Sequence, residues 1–358
     1  MAAMNPGRLS MTALGKHFGA HVALEALSMA IEPGEFVALL GPSGCGKSTT
    51  LRLLAGFETP DHGEIRLGDQ VLSSPQAQVP PEQRRMGMVF QSYALWPHLS
   101  VAGNVDYPLR VQKVAGSERR RRVEDVLARV DMTAMAGRYP RELSGGQRQR
   151  VALARCLVSQ PAVILLDEPL ANLDRHLRAS MEDYFRDFHR ETVTTMVYVT
   201  HDQDEAMALA DRVAVMQEGR LKQFATPETL YHQPADVEVA RFIGQGSVVH
   251  LARAAAGEWL TGSDAQRLNE QGSARAFVRP QHVVLGVEGG LPARVERCIF
   301  RGERHVLSLR LEDGQSLTAY SHTAQPAGSH TSVAIERLWG LEEGHTKMQA
   351  HRDRVPAQ

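Results

Sequence analysis

A chain of 358 residues, 43% hydrophobic and 23% charged, has globular composition and a length that suggests two domains. Lys and Arg number 40 against 41 Asp and Glu, and the resulting net charge of -1 argues against a protein that coats nucleic acid. Cys45, Cys156 and Cys298 match no metal-ligand spacing and fit a reducing compartment, and no run of about 18 apolar residues is present to span a bilayer.

The first residues, MAAMNPGRLSMTALGKHFG, lack a basic stretch followed by an apolar one, so no secretory signal is expected. Residues 11–22 are compatible with short strands, and 35–40 (EFVALL) read as a buried strand behind Pro33-Gly34. A Gly-rich turn follows at once. Residues 48–56 (STTLRLLAG) then read as a helix closed by a glycine, which makes the opening of an α/β unit. Residues 84–90 suggest another strand. Between Gln91 and Pro161 the pattern is helical: Ser117 is the expected cap of a helix that places Val123, Val126, Leu127 and Val130 on one face. Residues 162–166 (AVILL) read as a strand of a parallel sheet. A β-branched run at 194–200 follows an amphipathic helix at 178–190, so strands of one sheet flank a helical insertion. The texture changes near residue 244. Beyond it, alternating segments at 274–279, 291–300, 305–311 and 316–320, separated by Gly- and Asp-bearing turns, predict a small β-barrel or sandwich.

Residues 41–48, GPSGCGKS, fit G-x-x-x-x-G-K-[ST] between a predicted strand and a predicted helix. Glycines let backbone N–H groups face phosphate oxygens, and the helix presents its positive end to the same anion. The expected nucleotide contacts are Gly41, Pro42, Ser43, Gly44, Cys45, Gly46, Lys47, Ser48 and Thr49, with Lys47 on the β/γ-phosphates and Ser48 on Mg²⁺. The strand VILLDE ends in two carboxylates. Asp167 fits the magnesium shell, and Glu168 fits a base or polariser for an attacking water.

The segment Leu143-Ser144-Gly145-Gly146-Gln147 decides the class, since by chance it occurs on the order of once in a few thousand chains. Ser144 can cap a helix, and the glycines leave N–H groups open for an anion. One chain cannot easily fold both phosphate-binding helix starts onto the same γ-phosphate, so two chains facing head-to-tail is the natural arrangement.

With these motifs in place, residues 8–244 resemble the nucleotide-binding subunit of an ATP-binding cassette (ABC) transporter, a P-loop α/β fold with a RecA-like mixed sheet and a helical signature subdomain at about 92–160. The resemblance implies that Gln91 in VFQSYALWPHLSV senses Mg²⁺ and the water, and that Asp174 in ANLD touches the opposite subunit. It also implies that His201, 33 residues after Glu168, contacts the γ-phosphate. Phe18, 23 residues before Gly41, corresponds to an aromatic that stacks on adenine; from the residues alone a core aromatic is the other reading. ATP and Mg²⁺ are the implied ligands. The implied partners are a second copy of the chain, two transmembrane permease subunits docking between Tyr93 and His98, where exposed aromatics are expected, and indirectly an extracytoplasmic substrate-binding protein. The implied location is the cytoplasmic face of the inner membrane.

Residues 245–345 resemble the small OB-like accessory (TOBE-like) barrel of importer ATPases, carried by Arg279-Pro280 and the segment 305–318, and 346–358 are expected to form a disordered tail. The segment after Gln91 is most like those of ferric-ion and polyamine importers, with sugar and phosphonate systems next. A soluble ABC ATPase acting on nucleic acid or ribosomes is the rival from another class. It is disfavoured by a single motif set without heptad runs. The basic run at 118–122 reads as a solvated helix face, and Cys45 as small-residue packing.

Overall fold

A computed structural model of the chain describes residues 7–252, 256–261, 268, 272 and 274–341; the expected tail at 346–358 lies outside them. The chain divides into two compact units, Met1–Pro227 and Glu228–Gln358.

In the first unit, β1 (Leu9–Phe18) and β2 (His21–Ile31) pair antiparallel, β3 (Phe36–Leu40) enters a different sheet, and β4 (His62–Leu67) and β5 (Gln70–Ser73) return to the first, in order β2-β1-β4-β5. The second sheet collects β3, β6 (Met86–Val89), β7 (Val163–Asp167), β8 (Thr195–Thr200), β9 (Arg212–Gln217) and β10 (Arg220–Ala225) in order β10-β9-β3-β8-β7-β6. Four of its five pairings are parallel; at the rim β10 runs antiparallel to β9. Every residue of β3 and β8 is buried, which is why these strands read as unbroken apolar runs.

Helix α1 (Lys47–Ala55) follows β3 directly and stops at Gly56, whose φ of 86° is open to glycine at little cost. Arg84 completes that stop: its Nη1 donates to the carbonyls of Leu53 and Leu54 at 2.7 and 2.9 Å, and its Nε to Val79 at 2.8 Å. Burial pulls this guanidinium down to about 10.

The helical insertion consists of α2 (Val101–Val111), α3 (Gly116–Arg129) and α4 (Gly145–Leu157), with a core of its own. The predicted face of Val123, Val126, Leu127 and Val130 is buried there beside Val105, Leu109 and Val151, each such side chain contributing about 1.5–3 kcal/mol. The expected cap is corrected: Ala115 is the N-cap of α3 without a side-chain hydrogen bond, and Ser117 falls inside the first turn. Helices α5 (Arg175–Thr192) and α6 (Gln203–Leu209) complete this unit.

Helices α7 (Pro227–His232) and α8 (Val237–Phe242) precede, among the described residues, nine short strands: β11 (Ser247–Leu251), β12 (Trp259–Thr261), β13 (Ala274–Val278), β14 (Val283–Leu285), β15 (Leu291–Phe300), β16 (His305–Leu311), β17 (Ser316–Ser321), β18 (His330–Ile335) and β19 (Arg337–Leu341). Two antiparallel sheets, β11-β13-β19-β12 and β14-β18-β15-β16-β17, enclose one core that includes Val249, Val278, Val295, Leu309 and Val333, as a small, nearly closed barrel. The division at Pro227 falls earlier than the expectation near residue 244, and Arg279 supplies the reason. This buried guanidinium, pulled down to about 10 by desolvation, donates to the carbonyls of Tyr231, Ile243 and Gln245, and so pins the last turn of α7 and the turn after α8 to the barrel.

Candidate functional site

The turn between β3 and α1 has no room for side chains at two of its glycines. A Cβ on Gly41 would lie 2.2 Å from the Met216 carbonyl oxygen. One on Gly46, at φ 104°, would lie 2.5 Å from that of Ala23. Pro42, Ser43 and Gly44 form the exposed rim, Cys45, Gly46 and Lys47 turn inward, Ser48 is exposed and Thr49 half-buried. The Lys47 ammonium donates to the carbonyls of Gly41 and Pro42 at 2.6 and 2.9 Å. Cys45 Sγ lies 3.8 Å from it, and burial pushes this thiol up against the opposing pull of Lys47.

Asp167 ends β7 beside this turn, close enough to the Ser48 hydroxyl for it to bear on the carboxyl. Burial pushes its carboxyl up and Glu168 adds to the shift, while Arg52, Ser48 and Lys47 oppose it. A hydroxyl beside a partly desolvated carboxylate gives an all-oxygen donor pair, which fits Mg²⁺.

Glu168 takes a left-handed conformation, φ 45°, and its N–H donates to Val199 of β8 at 3.0 Å. Such a conformation in a non-glycine residue costs on the order of 1–3 kcal/mol, and here it turns the carboxylate toward His201. Oε2 lies 3.3 Å from His201 Nδ1, with the imidazole the more exposed of the two.

Two residues not anticipated from the sequence lie beneath this pair. Glu205 is 3% exposed and accepts the hydroxyls of Tyr198 and Thr200, both at 2.7 Å. Arg178 pairs with Asp202 at 3.2 Å and lies 3.6 Å from Glu205. Together with Glu168, Ala171 and His201 they line one small cavity. The acidic string Asp202-Gln203-Asp204-Glu205 directly after His201 was the available signal.

Ser144 and Gln147 close a capping box on α4: Ser144 Oγ accepts from the Gln147 N–H, and Gln147 Oε1 from the Ser144 N–H. A Cβ on Gly145 or Gly146 would meet Leu173 at 2.8 Å or Leu177 at 3.0 Å, so these glycines let α4 approach α5. Asp174 caps α5 by accepting from the Leu177 N–H at 3.0 Å. Gln91 is exposed, and its carbonyl accepts from Asn172 at 3.0 Å. Phe18 is 45% exposed at the end of β1, with the Lys16 ammonium 5.3 Å from its ring centre.

The structure thus gathers Lys47, Ser48, Asp167, Glu168 and His201 at the ends of β3, β7 and β8. Among the described residues no hydrogen bond joins Ser144–Gln147 to that group within one chain. The exposed aromatics expected after Gln91 need correction: Tyr93 is buried, and Trp96 packs on Tyr107 (4.2 Å between centroids) under Arg155, leaving Pro97 and His98 exposed.

Residues 24–171 match the ABC transporter family and residues 276–336 the TOBE domain. The chain is 40% identical to the spermidine/putrescine import ATP-binding protein PotA of Pseudomonas aeruginosa, across 96% of this chain and 99% of that protein. It is 43% identical to the Fe(3+) ions import ATP-binding protein FbpC of Agrobacterium fabrum, across 84% and 87%. Among solved structures it resembles the dimeric post-hydrolysis ATP-binding cassette MJ0796 bound to ADP and Pi, with a TM-score of 0.54 and 31% identity over 61% of this chain and 98% of that one. Phosphate loop, paired carboxylates, signature helix and barrel therefore have one common explanation: the chain belongs to the ABC transporter family, as an ATP-hydrolysing subunit that carries a C-terminal TOBE domain.

Proposed function

We propose that the chain energises solute import from the cytoplasmic face of the inner membrane, as a homodimer bound to two permease subunits that receive solute from a separate binding protein. The observation that carries this reading is the Glu168–His201 pair, 3.3 Å apart at the tips of neighbouring strands and next to the phosphate turn. In the sandwich, Lys47 and the turn N–H groups hold the β- and γ-phosphates, and Phe18 supports the adenine. Glu168 takes a proton from the attacking water, while His201 and Gln91 orient water and γ-phosphate. Ser48, Asp167 and Gln91 would hold Mg²⁺, which would supply positive charge against the phosphate oxygens. The partner copy brings its own Ser144, Gly145, Gly146 and Gln147, with Asp174 at the contact. The absence of any signature-to-phosphate-turn bond within the chain, among the described residues, supports completion of the site by a second copy. Pro97 and His98 beside the Trp96 stack support a permease contact there.

Hydrolysis by the wild type, measured beside Glu168→Gln with sizing in Mg-ATP, tests the reading. A silent mutant trapped as an ATP-bound dimer supports it; a mutant that turns over at the wild-type rate overturns the base assignment. For cargo, the named activities of the relatives favour a polyamine or ferric iron. Loss of spermidine or ferric uptake on deleting the chain, restored by wild type and not by Lys47→Ala, is the expected outcome.

A further inference from the structure

Arg178 stands on the first turn of α5, yet its guanidinium reaches both sides of the turn that carries His201. Nη1 pairs with Asp202 Oδ2 at 3.2 Å, Nε lies 3.6 Å from Glu205 Oε1, and Nη2 donates to the Leu173 carbonyl at 3.4 Å. Asp202 follows His201 directly and caps α6 by accepting from the N–H groups of Asp204 and Glu205. Glu205 Oε2 holds the hydroxyl of Thr200, the residue before His201, and that of Tyr198. Thr200 Oγ1 in turn accepts from the Asp202 N–H at 3.0 Å. One neighbour of His201, Thr200, is thus bonded to a carboxylate that Arg178 approaches as an ion pair, and the other, Asp202, carries a carboxylate that Arg178 binds directly. A planar fork can serve two carboxylates and a carbonyl at once; an ammonium cannot hold all three in fixed directions.

We propose that Arg178 is the positioning residue for His201. It fixes the imidazole against Glu168 by clamping Asp202 and Glu205, and through the Leu173 carbonyl it ties that clamp to the segment 171–174. His201 is thereby presented in register with the part of the chain that, in the sandwich, faces the partner copy. The inference deepens the proposed role of His201 and rests on it. A purely structural ion pair would cost stability when broken, because a buried carboxylate is left uncompensated, but it would leave the histidine where it is.

The test uses the full-length chain as wild type, His201→Ala, Arg178→Lys, Arg178→Leu and the double variant Arg178→Leu/Glu205→Gln, which removes the uncompensated carboxylate and so protects folding. We expect kcat to fall about tenfold or more in both leucine variants with KM for ATP unchanged, and partial recovery in Arg178→Lys, the size expected for a misplaced reacting group. In ¹⁵N-histidine-labelled protein, the imidazole signal missing from His201→Ala should move in the double variant and stay near its wild-type position in Arg178→Lys. Wild-type kcat in the double variant, or an unmoved His201 signal, overturns the proposal. Wild-type kcat in His201→Ala instead defeats the role of the histidine, and the imidazole signal then still reports whether Arg178 holds it.

Discussion

His201 Nδ1 and Glu168 Oε2 lie 3.3 Å apart although 33 residues separate them, because β7 and β8 are parallel neighbours that end side by side. Parallel pairing brings two strand tips to one edge of the sheet, and both residues stand at the first turn beyond it. Replacing Glu168 by Gln keeps the shape and removes the proton acceptor. A loss of about 10²–10⁴ in kcat is expected, with ATP binding intact, read by steady-state turnover and equilibrium nucleotide binding.

Gly46→Ala should be far more damaging than its single methyl suggests. The new Cβ would lie 2.5 Å from the Ala23 carbonyl oxygen at φ 104°, so the turn must move. ATP affinity should drop at least tenfold by fluorescent-nucleotide titration, together with a lowered melting temperature. Gly44→Ala, where a Cβ meets nothing within 4 Å, should retain more binding despite its φ of 80°.

Arg84→Met removes the fork that closes α1 and leaves the carbonyls of Leu53 and Leu54 buried without that donor. Relief of the desolvated charge offsets part of the loss, so a net destabilisation of about 2–4 kcal/mol is expected in urea melts. Lysine at this position should rescue poorly, since one ammonium cannot reach Val79, Leu53 and Leu54 in the same geometry.

Cys156 gives the alkaline signature. Burial pushes its thiol from 9.0 up to about 12, so the folded chain keeps a proton that the unfolded chain releases. Stability from this group is complete below pH 9 and is lost as pH rises toward 12, at up to roughly 1.4 kcal/mol per pH unit. Cys156→Ala should be weaker at neutral pH through lost packing, yet should show a shallower decline between pH 9 and 11. In the native chain at pH 8, half-buried Cys298 should react first with a thiol reagent, ahead of buried Cys45 and Cys156.

The parts of the site legible in the sequence were those whose chemistry is local. Gly41–Ser48, Asp167-Glu168 and Ser144–Gln147 each carry their function in consecutive residues set against a strand or helix end, and the apolar runs of β3, β7 and β8 announced a parallel sheet. The structural roles of Arg84, Arg178, Glu205 and Arg279 were not legible, although Arg279-Pro280 helped carry the barrel resemblance. Each is a charged residue whose burial depends on carbonyls or carboxylates from other elements, and spacing carries no trace of that. The opposite case is Tyr93, which bounds the segment expected to dock a permease: it is buried at 7% exposure, in a left-handed conformation.

The strand order β10-β9-β3-β8-β7-β6 puts β6 and β10 at the margins of the catalytic sheet among the described residues, and both discourage pairing with a stray strand. β6 offers only four residues, too few for a lasting ladder, and β10 runs against the direction of the sheet and carries Arg220 and Lys222. A growing ladder of copies is thereby disfavoured while the chain waits for its partners. In the proposed sandwich, recognition of a second copy is left to the nucleotide-facing surface, where it can be made conditional on ATP.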